Sequence, residues 1–284
     1  MKKTLKILTV AFMAMLLTMS FAACGGKDKA EDTTAEAETD TFRVGMECGY
    51  APFNWTQIDN KNGAVAINGG DYAGGYDVEI AKLLADGMGK KLEIVKTSWD
   101  GLPQGLDAGT IDAIIAGMSA TADRAKIINF SDMYYNSVLV MVVKKDGDYA
   151  NATSLKDFTG AKITGQLNTF HASVVDQIPG VVKQTPMEDF PAMRVALESG
   201  VIDGYVSERP EGLSAAAAND NFKTIEFAEG QGFTYTPEDV AISVGVKKGN
   251  DTLLADINKV LAGITEEQRL EIMDQAVKNQ PAAQ

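Results

Sequence analysis

Histidine, cysteine and tryptophan are almost missing from this 284-residue chain, which has one, two and two of them. With His171 as the single histidine, no nucleophile–base pair and no metal-ligand cluster is apparent. The cysteines are Cys24 and Cys48, too few for a fold stapled by several disulfides. A hydrophobic core must stabilise the chain, and a hydrophobic content of 45% makes that feasible. Basic residues are also in deficit, 26 against 39 acidic ones, for a formal net charge of −13. That balance argues against nucleic acid and against direct adhesion to anionic lipid, and it favours solubility. Beyond the first two dozen residues no apolar run is long enough to span a membrane. Glycine is plentiful, but neither GGDYAGG nor any other run has phosphate-loop spacing.

The first forty residues are read apart from the fold. Lys2, Lys3 and Lys6 precede a long uncharged apolar run and then Ala22-Ala23, the order of a secretory signal. Small residues directly before Cys24 resemble a bacterial lipoprotein box, although Phe21 stands where leucine is usual. The expectation is a signal peptide over 1–23, lipidation at Cys24, and a polar acidic tether over 24–40 that cannot bury enough apolar surface to fold. The protein is then extracytoplasmic, lipid-anchored to the outer face of the cell membrane and otherwise soluble.

From residue 41 onward, short apolar runs alternate with helical patterns. TFRVGM, KLEIVKT, IDAIIAG, SVLVMVVKK, AKITGQ, VIDGYVS, KTIEFA and VAISVGVKK read as strands. Residues 75–90 read as a helix with Ile80, Leu83, Leu84 and Met88 on one face and Asp77 as its N-cap. WDGLPQGLDAG and DFPAMRVALESG each have an early proline and a terminal glycine, the signature of short helices. RPEGLSAAAAN and two C-terminal segments are also helical. Alternation throughout predicts an α/β fold with largely parallel sheets. LDAGTIDA (106–113) and LESGVIDG (197–204) share L-x-x-G-x-I-D-small, as though one helix–turn–strand unit served in each of two similar lobes. Ligands of open α/β sheets bind beyond the carboxyl ends of the strands. Ser119 to Arg124 and Ser207 to Glu208 should therefore face a shared cleft, a cation on one side and an anion on the other. A zwitterion fits between them.

GMSATADRAK (117–126) sharpens this point. Thr121 reads as an N-cap, making Arg124 the third residue of a helix, at the end where the peptide dipoles favour anions rather than cations. An arginine there calls for a negative partner.

RVGMECGYAPFNW, GYDVEIAKLLADGMG, GLDAGTIDAIIAGMSATADRAKIINFSDMYY and GVIDGYVSERP together resemble the polar amino acid substrate-binding proteins of ABC importers (solute-binding protein family 3). The resemblance covers nearly everything after residue 41. It implies a two-lobed, type II periplasmic-binding-protein-like fold, each lobe a mixed, mainly parallel sheet flanked by helices, joined by two hinge crossings near YNSVLV and FTYTPEDV. Lobe 1 would comprise 41–136 and 236–284, and lobe 2 would comprise 137–235. The family's roles map onto Arg124 for the ligand's α-carboxylate, with Gly117, Ser119 and Thr121 beside it. Glu208 stands where aspartate usually holds the α-ammonium. Thr169 matches a closing loop in which Asn168 replaces a frequent glycine and Phe170 a frequent threonine. Tyr50 and Trp99 would line the side-chain pocket, with Phe53 more naturally core, and Glu47 and Asp77 would meet a distal polar group.

Acids beside aromatic faces suit a cationic side chain, so arginine or lysine is the expected ligand, with glutamine or another neutral polar amino acid as the alternative. The implied role is that of a monomeric, non-enzymatic carrier without cofactor or metal, handing a free L-amino acid to a membrane permease. A dehydratase on the same scaffold, or a ligand-sensing module for a receptor, are the readings from other classes.

Overall fold

The computed structural model describes residues 41–281. The expected signal peptide, Cys24 and tether lie outside the described residues. Strands β1 (Thr41–Met46), β2 (Gly49–Tyr50), β3 (Asn54–Gln57), β4 (Val65–Ala66) and β5 (Tyr72–Gly74) precede helix α1 (Tyr76–Gly87). Then come β6 (Lys91–Lys96), α2 (Gly101–Ala108), β7 (Ala113–Ile114), β8 (Ile128–Asn136) and β9 (Leu139–Lys144). The middle of the chain supplies β10 (Lys162–Thr164), α3 (Phe170–Val174), β11 (Val182–Lys183), α4 (Phe190–Ser199), β12 (Gly204–Glu208), α5 (Arg209–Ala218) and β13 (Phe222–Ile225). Strand β14 (Ala241–Lys247) and helices α6 (Asp251–Leu261) and α7 (Glu266–Asn279) complete it.

Two five-stranded sheets result, in the orders β6-β1-β7-β14-β8 and β11-β10-β12-β9-β13. In the first, β1 runs parallel to β6 and β7, while β14 is antiparallel to β7 and β8. In the second, β10 is parallel to β11 and β12, while β9 is antiparallel to β12 and β13. The two sheets thus share one plan, and the repeated sequence unit leads into equivalent strands, β7 and β12. The chain passes from the first sheet to the second between β8 and β9, and returns between β13 and β14. This makes two lobes joined by two crossings. A smaller antiparallel sheet, β2-β3-β5-β4, is added to the first lobe only.

Local chemistry explains the helices. Asp189 caps α4 by accepting from the Ala192 N–H at 2.8 Å, Pro191 follows in the first turn, and Gly200 stops the helix in the left-handed conformation. Helix α2 ends in the same way at Gly109. In α1 the buried face is Val78, Ile80, Ala81, Leu84 and Ala85, whereas Leu83 lies outside it, 38% exposed. One expectation is corrected here. The N-cap of α1 is Gly75, at φ 125°, and Asp77 sits inside the first turn. An L side chain at residue 75 would run into the backbone of Phe53, so glycine takes the cap and Asp77 is turned inward.

Val44, Ile114, Val244 and Val246 centre the core of the first lobe. Met141, Val143, Ile163 and Val206 centre that of the second. The first cluster continues across the gap between the lobes through Tyr50 and Phe190.

Candidate functional site

The carboxyl ends of β1, β7, β10 and β12 point to the gap between the lobes, and the predicted site residues other than Asp77 gather there. From the first lobe, the loop after β7 begins at Gly117, whose φ is 60°. A Cβ at residue 117 would stand 2.6 Å from the Tyr50 ring, closer than real contacts allow, so only glycine brings the loop against that ring. The loop is then pinned to β14: the Ser243 N–H donates to the Met118 carbonyl at 3.0 Å and the Ala120 N–H to the Ala241 carbonyl at 3.1 Å. Ser119 is thereby buried, 7% exposed. The Thr121 hydroxyl accepts from the Arg124 N–H at 3.4 Å, but the expected N-cap is corrected: Asp123 precedes the turn, without a side-chain cap bond. The helix is also shorter than expected, a single 3-10 turn, Arg124–Lys126, because β8 begins at Ile128.

Arg124 is held by its own lobe. Its Nη1 donates to the Ser119 carbonyl at 3.0 Å, and its guanidinium carbon lies 5.0 Å from the centroid of Trp99, within cation–π range. Burial lowers its pKa to about 10, opposed by the nearby Glu208 carboxylate, so the cation persists at neutral pH. Trp99 therefore backs the guanidinium while also lining the cavity beside it.

The second lobe presents Glu208, the last residue of β12, 1% exposed. Its carboxylate makes no cap contact with α5. Instead Oε2 accepts from the Tyr50 hydroxyl at 2.8 Å, across the cleft. The Tyr50 ring stacks on Phe190 of the second lobe at 4.4 Å and meets its neighbour Phe53 at a tilt, 4.9 Å between centroids. Burial and the Glu208 charge raise the Tyr50 pKa, which keeps its hydroxyl a donor. Oε1 of Glu208 faces His171, whose Nε2 is 3.7 Å away. Thr169 precedes α3, and its hydroxyl donates to the Gln166 carbonyl at 2.7 Å. Asn168 adopts φ 57°, a left-handed conformation that asparagine tolerates better than most residues, which accounts for its standing where glycine is frequent.

Two further side-chain pairs cross the cleft. Gln166 Nε2 donates to Glu47 Oε2 at 3.1 Å and to the Glu188 carbonyl at 3.1 Å. Asn168 Nδ2 donates to Asp100 Oδ1 at 2.9 Å. Burial pushes the Glu47 carboxyl up to about 7; the Gln166 donor opposes this, and the Asp189, Asp77 and Glu188 charges reinforce it. A carboxyl so placed gains from a cation beside it.

Asp77 is not brought to the cleft surface. It is fully buried, with Oδ1 accepting from Tyr134 at 2.7 Å and Oδ2 from Asn54 at 2.7 Å. Burial raises it to about 6, against those donors. Its role in the structure is to brace the base of the Gly117 loop from within the first lobe: the Gly117 N–H donates to the Tyr134 oxygen at 3.3 Å. Gln166, Phe190 and His171 join the cleft without having been singled out from the sequence. Each meets its partner across a long stretch of chain, so no local spacing signals them.

A cavity of about 410 Å³ opens beside this cluster, lined by Trp99, Gln104, Met118, Arg124, Ile127 and Asn168. A larger hollow, about 650 Å³, lies between α1 and α7 of the first lobe, lined by Trp55, Lys82, Leu83, Ile264 and Ile272 among others. None of the cross-cleft charges reaches it, so volume alone does not mark the site. Among the described residues no group of three or more His, Cys, Asp or Glu side chains could hold a metal.

The model for bacterial extracellular solute-binding proteins, family 3, matches residues 42–277, and the chain belongs to that family. Its members are solute-binding proteins. The chain is similar to the L-cystine-binding protein TcyJ of Escherichia coli K12, 27% identical over 95% of this chain and 92% of the relative. Its fold is similar to an amino acid ABC transporter substrate-binding protein from Streptococcus pneumoniae bound to L-arginine, with a TM-score of 0.74, 26% identity, and 84% and 94% of the two chains covered. It is also similar to an ancestral arginine-binding protein bound to glutamine, with a TM-score of 0.70, 30% identity, and 84% and 98% covered.

Proposed function

We propose that this chain is the substrate-binding component of an amino acid ABC importer, and that its ligand is a polar amino acid with a cationic side chain, arginine or lysine. The observation that carries the reading is the pairing of Arg124 and Glu208, opposite charges from opposite lobes facing one cleft. The guanidinium fork grips the α-carboxylate, with the Gly117–Thr121 loop beside it. Tyr50 holds Oε2 of Glu208, leaving Oε1 for the α-ammonium. Thr169 closes from the second lobe.

The distal charge of the ligand reaches Glu47, whose raised pKa marks a carboxyl in want of a cation. The acids around it favour a positive side chain over a neutral one. The arginine-bound neighbour from Streptococcus pneumoniae supports this choice, and the glutamine-bound ancestral protein supplies the runner-up.

In the proposed cycle, lobe 1 (41–136 and 236–284) binds the ligand first and lobe 2 (137–235) closes over it about the crossings at 135–140 and 233–240. Ligand shifts the population by its added contacts with the closed form. Micromolar affinity corresponds to about 8 kcal/mol, within reach of several charge-assisted hydrogen bonds at about 1.5–3 kcal/mol each. A signal peptide over 1–23 and lipidation at Cys24 would keep the carrier on the outer face of the membrane, beside its permease.

Calorimetric titration with the twenty amino acids tests the reading. Tightest binding to arginine or lysine is expected. Tightest binding to glutamine would overturn the side-chain assignment while leaving the head-group assignment standing, and binding to none of them would overturn both.

A further inference from the structure

The one histidine of the chain lies in the cleft, and the binding chemistry above makes no use of it. His171 occupies the first turn of α3 and is 8% exposed. Its ring meets Phe190 edge-on at 5.9 Å. Its Nδ1 is buried without a hydrogen-bond partner among the described residues. Its Nε2 stands 3.7 Å from Glu208 Oε1, too far for a hydrogen bond but within ion-pairing distance once the ring is charged.

The surrounding charges are accounted for. Glu208 comes from the end of β12, which packs under α3. From the first lobe, Tyr50 donates to the other Glu208 oxygen, and Arg124 feels the same carboxylate. Glu211, in the first turn of α5, is occupied by Arg194, Tyr205 and Ser207. Asp189 is engaged as the cap of α4, Glu47 is held by Gln166, and Asp176, beyond α3, pairs with Lys183. The carboxylate in line with Nε2 is therefore Glu208, through the oxygen that an incoming ammonium would use.

The geometry points to His171 as a ligand-competing residue: its protonated ring shares Glu208 Oε1 with the ligand's α-ammonium, so that acidification releases the amino acid. The inference rests on the assignment of Glu208 to the ammonium. Histidine changes charge between about pH 5 and 8. As neutral imidazole it leaves Oε1 free, and the ammonium binds. As imidazolium it forms its own ion pair with Oε1 and sets a second positive charge beside the ammonium. Both effects oppose the ligand. By linkage, binding then expels a proton from His171 where the ring is partly charged. The consequence is a carrier that holds its cargo at neutral pH and gives it up in acid.

Two measurements test this. Arginine affinity is measured by calorimetry at pH 8 and pH 5.5 for the wild type and for His171→Gln. Because Glu47 is present in both proteins, its own titration cancels in the comparison. The wild-type ratio of affinities is expected to exceed that of the variant by about tenfold, an ordinary size for coupling between two sites. On the wild type, the single histidine gives an isolated Hε1 proton resonance, whose pH titration should move toward acid when arginine is saturating. Equal affinity ratios in the two proteins, or a resonance whose titration is the same with and without arginine, would overturn the inference. Absence of amino acid binding to the wild type at pH 8 would overturn it as well, and would be distinguished by removing the binding reading itself.

Discussion

The two lobes are built on one plan and loaded with opposite charge. In each, the repeated helix–turn–strand unit delivers its third parallel strand to the cleft, β7 in one and β12 in the other. After β7 the chain runs through a loop pinned to β14 before reaching Arg124, and everything that holds the guanidinium, Trp99 and the Ser119 carbonyl, belongs to the same lobe. After β12 it turns directly into α5, and Glu208 finds its hydrogen bond on the other lobe, at Tyr50. In the proposed cycle this difference sets the order of events: Arg124 is held entirely within the first lobe, whereas Glu208 takes its hydrogen-bond partner, Tyr50, from across the cleft.

The largest loss is expected at Arg124. Arg124→Ala removes the proposed bidentate, charge-assisted contact, at about 1.5–3 kcal/mol per hydrogen bond. It should cost at least about 100-fold in calorimetric affinity. Near-normal binding by that variant would mean the cation serves only Trp99 and Ser119.

Glu208→Gln keeps the shape and loses the charge. A loss of about 10- to 100-fold is expected, with the open form more populated in small-angle scattering because Tyr50 has lost its anionic acceptor. Gly117→Ala forces a Cβ against the Tyr50 ring at a backbone angle that L residues rarely adopt. Thermal unfolding should report about 1–3 kcal/mol of destabilisation.

Glu47→Gln probes selectivity. The ratio of arginine to glutamine affinity should fall by about tenfold, since one charge-assisted contact becomes neutral. In the wild type, burial pushes the Glu47 carboxyl up to about 7. A cation beside it lowers that value, so arginine binding expels a proton around neutrality and weakens as pH falls through 7. Calorimetry in two buffers of different ionisation enthalpy reads the proton directly.

The smallest effect concerns stability. Glu47 and Asp77 are raised to about 7 and about 6 by burial, so between those values and the ordinary carboxyl range near 4 the folded chain binds more protons than the unfolded one. Their contribution therefore falls as pH rises through that window. The ligand-free protein should melt at a higher temperature at pH 5 than at pH 8, and Asp77→Asn should flatten the difference.

Much of this architecture was legible from the sequence because its signals are local. Asp189-Phe190-Pro191 and Gly200 define α4 by capping chemistry, Pro103 and Gly109 define α2, and the repeat located the two equivalent strands. Arg124 and Glu208 followed from the ends of those strands. What escaped notice is what distance creates. The strands β2 to β5 are two to four residues long, too short to show a period. Asp77 resembled a cap, but its partners are Asn54 and Tyr134, 23 and 57 residues away. The helix expected at Arg124 shrinks to one turn because β8 must start at Ile128 to pair with β14. Gln166, Phe190 and His171 matter only because the second lobe folds against the first.

The decisive experiment is a crystal structure of the protein with L-arginine bound. The α-carboxylate is expected on the Arg124 guanidinium and the α-ammonium on Glu208 Oε1, with both lobes touching the same molecule. An arginine lying with its head turned from both residues, or seated in the hollow between α1 and α7, would contradict this placement.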